Sequence, residues 1–279
     1  MHRPQPSPGP SRLSTPSRFA ALTLVFLAMA MPPHLDALQA GPPQCPETSR
    51  TEACEVRSVE IPLADGRLQV DGGPSGSITV EAWEGSDVRA YARISARSRM
   101  GRNADDVVGQ VEIEAAAGRL GASGPRGLLG GTSWTVSYWI QVPRGAELSL
   151  ETTNGRIDVA GVGGPIEARS TNGRIRLHDV DGWIDARTTN GSLEAAFVEG
   201  ASLRAPLELR GTNGSVTLVV PADLNARVQA STTNGSIGGD VVMDTSGSRG
   251  NRQATATLGT GGPDITLRTT NGSIRIRTR

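Results

Sequence analysis

One short motif recurs through the second half of the chain. Thr153-Asn154-Gly155 returns as Thr171-Asn172-Gly173, Thr189-Asn190-Gly191, Thr212-Asn213-Gly214, Thr233-Asn234-Gly235 and Thr270-Asn271-Gly272. The asparagines stand 18, 18, 23, 21 and 37 residues apart, and the last interval reads as two periods with one marker lost. A repeat of this period confines the chain to an array in which each unit packs on the next.

The positions around each Asn repeat as well. Six before it are Leu148, Ile166, Ile184, Leu207, Val228 and Ile265, and three after it are Ile157, Ile175, Leu193, Val216, Ile237 and Ile274. Apolar residues also recur four before and five after the Asn, with mostly polar residues between. Each unit is therefore two short period-2 strands meeting at Asn-Gly, a pair that tolerates φ > 0 at a sharp corner. Four buried aliphatic side chains contribute about 1.5–3 kcal/mol each. That falls short of the entropy of ordering a whole unit. The units must lean on one another.

Asn-Gly between alternating strands is also a hairpin signal, so an antiparallel β meander or sandwich is the alternative. Two observations favour stacking. The Thr before each Asn is constant, which a turn does not require but a Thr or Asn ladder between coils would use. A hairpin would also set Arg169 against Arg176 and Arg268 against Arg275. The expected fold is all-β: a β-solenoid, or single-stranded parallel β-helix, of two-strand repeats with Asn-Gly corners. Some eight coils at about 4.8 Å each make a rod roughly 40 Å long. The low aromatic content (3%), with 35 Gly and 18 Pro, suits such turn-rich β structure.

Ahead of the array, residues 1–40 read as a signal peptide, with Arg3, Arg12 and Arg18 before an apolar run over 19–31. That run is too short to span a bilayer comfortably, and no second apolar run of spanning length follows. Residues 41–57 form a Pro-rich linker holding Cys45 and Cys54, which in an exported protein read as a disulfide. Residues 58–145 look like degenerate repeats, with strands over 88–94, 107–115 and 133–142 and a Gly-rich loop over 117–132. Residues 146–279 are the regular repeats, interrupted by a polar loop over 243–251.

The strand ending Val142-Pro143, then Leu148-x-Leu150-x-Thr152-Thr153-Asn154-Gly155 and the repeated Thr-Asn-Gly, resembles the bacterial "putative adhesin" domain of unknown function, the toastrack domain. The resemblance covers roughly 58–279. It implies an exported β-solenoid-like domain, and some members are linked to envelope-stress signalling. This chain lacks the membrane segment that the signalling members carry after the leader.

Charge and chemistry narrow the role. The leader holds three of the 28 basic residues and one of the 28 acids, leaving the remainder slightly acidic, against nucleic-acid binding. Every basic side chain is Arg. His178 is the one histidine after the leader and lies just past a strand, with no partners for a nucleophilic triad. Asp179-x-Asp181-Gly182 lacks the further oxygens that calcium needs. The Asn-Gly-Ser sequons at Asn190, Asn213, Asn234 and Asn271 follow from the repeat itself. No cofactor or metal is expected, and the chain reads as no enzyme.

The feature left for function is a row. Arg169, Arg187, Arg210 and Arg268 stand three before their Asn, with Glu167, Asp185 and Glu208 two residues earlier. Stacking makes them a basic stripe beside an acidic one, the candidate contact for an anionic envelope polymer or partner protein. The function expected is an exported, non-enzymatic, adhesin-like scaffold in the periplasm or at the cell surface. A periplasmic signalling accessory is the alternative, and a polysaccharide-acting β-helix enzyme comes behind both.

Overall fold

The computed structural model describes His2 and residues 41–279, apart from 64, 99–102, 127–130 and 249. The predicted signal peptide, His2 apart, lies outside the described residues. The first strands of the chain are β1 (Glu52–Ile61), β2 (Arg67–Asp71), β3 (Ile78–Trp83) and β4 (Val88–Arg97). After helix α1 (Ala104–Gly109) come β5 (Glu112–Ala116), β6 (Arg119–Ser123) and β7 (Ser133–Pro143). The regular array runs through β8 (Glu147–Thr152), β9 (Ile157–Ala160), β10 (Ile166–Ser170), β11 (Ile175–Val180), β12 (Ile184–Asn190) and β13 (Leu193–Phe197). It continues through β14 (Leu207–Asn213), β15 (Val216–Val220), β16 (Ala226–Asn234), β17 (Ile237–Gly239), β18 (Asp244–Ser248), β19 (Asn251–Leu258), β20 (Asp264–Asn271) and β21 (Ile274–Thr278).

These strands form two sheets. Sheet A runs β1-β4-β7-β3-β9-β11-β13-β15-β21-β17, and sheet B runs β18-β19-β16-β20-β14-β12-β10-β8-β2-β6-β5. From β7 to β17 and from β16 to β6 every neighbouring pair is parallel. Each coil gives one strand to each sheet, and Asn-Gly turns the chain from B to A. The fold is a β-solenoid, and the antiparallel meander is excluded. Leu148, Ile166, Ile184 and Leu207 meet in register on sheet B, and Ile157, Ile175, Leu193 and Val216 do so on sheet A. All eight are at most 1% exposed. The aliphatic rungs of both sheets thus fill one narrow core, each shielded by the coils on either side.

Order in space departs from order in sequence at both ends. The coil β6/β7 lies outside β2/β3, and β16/β17 lies outside β20/β21. Asn213 is therefore paired with Asn190 and Asn271, and Asn234 with Asn271. The interval of 37 conceals no lost coil. The extra residues are the antiparallel hairpin β18–β19, laid on the edge of sheet B against β16. The interval of 23 has another cause, a longer crossing over 198–206 between β13 and β14.

Four local expectations change. The strand expected over 107–115 is the helix α1 followed by β5. Asn103 caps that helix by accepting from the Asp105 amide at 3.4 Å, and Ala104, Val107 and Val108 bury one face. The loop over 117–132 contains β6, which pairs with β5 and β2, and the loop over 243–251 contains β18. The linker ends sooner than residue 57, because β1 begins at Glu52 and pairs with β4 along its whole length. Cys45 and Cys54 are joined in a disulfide, which pins the segment before β1 to that strand.

Candidate interaction face

The corners fix how the coils register. A continuous ladder of side-chain amides runs along them. Asn172 donates to Asn154 at 2.7 Å, Asn190 to Asn172 at 2.7 Å, Asn213 to Asn190 at 2.8 Å, Asn271 to Asn213 at 2.7 Å and Asn234 to Asn271 at 2.8 Å. At its far end Asn154 donates to the Pro74 carbonyl at 2.6 Å. A second ladder lies just inside. The hydroxyls of Thr152, Ser170, Thr188, Thr269 and Thr232 donate to the corner-glycine carbonyls of Gly76, Gly155, Gly173, Gly214 and Gly272 at 2.7–3.1 Å. The constant Thr before each Asn makes no part of it. Thr153, Thr171, Thr189, Thr212, Thr233 and Thr270 are all exposed, because strand alternation turns that position outward.

Glycine is needed at the corner for space rather than for φ. None of the six asparagines has a positive φ, and of the corner glycines only Gly214 does, at a near-extended +159°. A Cβ on Gly173 would lie 1.8 Å from the Gly155 carbonyl oxygen, and one on Gly191 would lie 2.1 Å from that of Gly173.

On the outer face of sheet B the pleat sorts side chains into columns. Arg169, Arg187, Arg210 and Arg268 stand in register on consecutive strands β10, β12, β14 and β20, about 4.8 Å apart. Continuing the same column, Glu151 and Asp71 precede Arg169, and Ser231 follows Arg268. The acid column, one strand pleat away, holds Glu167, Asp185 and Glu208. Each acid grips the arginine of its own strand. Arg187 binds Asp185 through two hydrogen bonds, at 2.9 and 2.7 Å, and Arg169 and Arg210 pair with Glu167 and Glu208. Arg187 also approaches Glu208 of the next coil at 3.7 Å. These carboxylates relieve the repulsion of stacked guanidinium groups and hold their planes in place. Arg268 has Thr266 in place of an acid, and no ion pair reaches it among the described residues.

Between the arginines and the exposed threonines runs a shallow groove of about 320 Å³, walled by Arg169, Arg187 and Arg210 on one side and Thr171, Thr189 and Thr212 on the other. The four predicted arginines are thus brought together, and the six corner asparagines form one line. His178 is not part of this face. It sits inside β11 rather than after it, half-buried on the outer face of sheet A between Ala160 and Ala196. Burial pulls its pKa down, against the nearby carboxylates of Glu194, Asp179 and Asp158, which push it up. Among the described residues no cluster of three His, Cys, Asp or Glu could hold a metal.

A cavity near Tyr138 was not foreseen from the sequence. Trp134, Val136, Tyr138 and Ile140 share one face of β7 by strand alternation, and the hydroxyl in that otherwise apolar set was the one available signal.

The family model for Toastrack DUF4097 matches residues 52–277. A solved structure of a "putative cell adhesion protein" from Clostridium sporogenes is 12% identical, with a TM-score of 0.44 over 82% of this chain and 100% of that one. A "putative adhesin" from Bacteroides fragilis is 11% identical, with a TM-score of 0.37 over 81% of this chain and 97% of that one. A "putative lipid binding protein" from Parabacteroides distasonis is 13% identical, with a TM-score of 0.38 over 81% and 96%. No curated protein matches the chain.

Proposed function

The chain belongs to the toastrack family, and on that premise we propose that it is an exported, non-catalytic scaffold that binds a partner at the cell envelope through the outer face of sheet B. One observation carries this reading: four arginines are held in register on consecutive strands, and a groove runs between three of them, Arg169, Arg187 and Arg210, and a parallel row of exposed threonines. Such a face offers an extended partner a guanidinium donor at each of four consecutive coils. The Cys45–Cys54 disulfide supports export to an oxidising compartment. No helix among the described residues is long and apolar enough to cross a membrane.

The partner is an anionic envelope polymer or another protein, and salt separates the two. Arg169, Arg187 and Arg210 already hold carboxylates, so a polyanion must displace those pairs, and its binding falls steeply with ionic strength. The test compares the wild-type chain with the Arg169→Ser, Arg187→Ser, Arg210→Ser triple variant on an isolated envelope polymer at two salt concentrations. Expected is a loss of about tenfold or more at low salt in the variant. Equal affinity of the two proteins at both concentrations overturns the arginine row as a contact.

A further inference from the structure

Sheet B is breached near its first coil. β2 and β6 pair only at Gln69–Arg119 and Val70–Leu120. Beyond that point they part. Asp71 and the corner over 72–76 follow β8, with the Gly72 amide donating to the Glu151 carbonyl at 2.8 Å, while Gly121, Ala122 and Ser123 stay with β5. The parting opens a cavity of about 600 Å³ that reaches into the core of the β6/β7 coil. Ala122, Pro125, Trp134 and Val136 line it, Asp71 stands exposed at its rim and Tyr138 lies within.

Two details mark this opening as built. The Trp134 indole N–H donates to the Pro125 carbonyl at 3.0 Å, which fixes one wall. Gly124 lies against that ring, so closely that a Cβ there would come within 2.8 Å of it. Tyr138 is 2% exposed, and its hydroxyl is buried with no hydrogen-bond partner. A hydroxyl in that position costs stability unless something accepts its proton. Burial, with Asp71 and Glu114 adding to it, raises the phenol pKa, so the group stays a donor at ordinary pH. The volume falls within the range of small-molecule sites.

We propose that this cavity binds a small, largely apolar molecule with a hydrogen-bond-accepting oxygen, of the class of acyl esters, acyl amides and aryl ketones. Its body lies against Trp134 and Val136, and its oxygen accepts from the Tyr138 hydroxyl. The site is separate from the arginine face and stands or falls without it.

The test uses the aryl ketone prodan, whose emission reports both the polarity around it and hydrogen bonding to its carbonyl. The full chain is titrated alongside Tyr138→Phe, which removes only the hydroxyl, and Ala122→Phe, which fills the cavity. Expected is saturable binding by the wild type, at least fivefold weaker and bluer in emission for Tyr138→Phe, and lost in Ala122→Phe. Thermal melts without the probe check folding, and Tyr138→Phe should melt no lower than the wild type. Binding absent from the wild type, or equal in all three proteins, overturns the site. Should Ala122→Phe fail to fold, the Tyr138→Phe comparison decides alone.

Discussion

At the corner column a single added carbon decides whether coils can meet. In Gly173→Ala the new methyl group would lie 1.8 Å from the Gly155 oxygen and 2.6 Å from the Ser170 hydroxyl, and neither neighbour is free to move. The expected loss is on the order of 1–3 kcal/mol, read from denaturant midpoints. Thr171→Ala, two residues away in the same corner but facing water, should change stability by less than about 0.5 kcal/mol. Equal effects would mean that the column tolerates a side chain. His178 gives a pH signature. Burial lowers its pKa in the folded chain from the ordinary 6.5, so below that value the unfolded chain takes up a proton that the native state resists. Stability is then full above about pH 6.5 and falls as pH drops towards the folded pKa. His178→Gln should flatten the melting temperature between pH 7 and about 5. An unchanged slope would assign it to other groups.

At the scale of elements, the repeating coils were legible and their surroundings were not. Period-2 alternation around each Asn gave the strands and their inward faces, because packing in the core obeys that alternation strictly. The reason assigned to Asn-Gly was different from the real one: close approach of backbones, not left-handed φ, demands the glycine. Of the two ladders expected from Thr or Asn, the asparagine one is present, while the hydroxyl ladder is made by the residue before the constant Thr. Pairing of non-consecutive coils could not be read, since a spacing of 37 fits a lost repeat as well as an inserted hairpin. Helix α1 was missed although Ala104, Val107 and Val108 carry a helical period, because one and a half turns beside β-rich sequence read equally as a strand. The arginine column was visible in the sequence. Its pairing with Glu167, Asp185 and Glu208 needed the strand geometry, and the Tyr138 cavity needed the point where two strands separate.

At the scale of the whole molecule, a stack of parallel strands has two open ends that invite other chains to add. Both are covered. At one end β1, β4, α1 and β5 close the first coil, and Arg57 of β1 donates to the Val108 carbonyl of α1 at 3.3 Å and to the Val111 carbonyl just past it at 2.5 Å. At the other, β19 lies antiparallel on β16, with the fully exposed, polar β18 outermost. Replacing residues 240–262 by a short Gly-Ser linker removes that hairpin and bares the edge of β16. The expected outcome is concentration-dependent association in sedimentation velocity. A variant that stays monomeric across the range would show that the hairpin has no such blocking role.

The placing of β20/β21 between β14/β15 and β16/β17 carries a consequence for how the protein is made. A ribosome delivers the outer coil first and the coil beneath it afterwards, so β16 and β17 wait beside a vacant slot until residues 264–278 arrive. This half of the column cannot close while it is still being synthesised. Until the inner coil slides in beneath the outer one, the last seam stays unsewn.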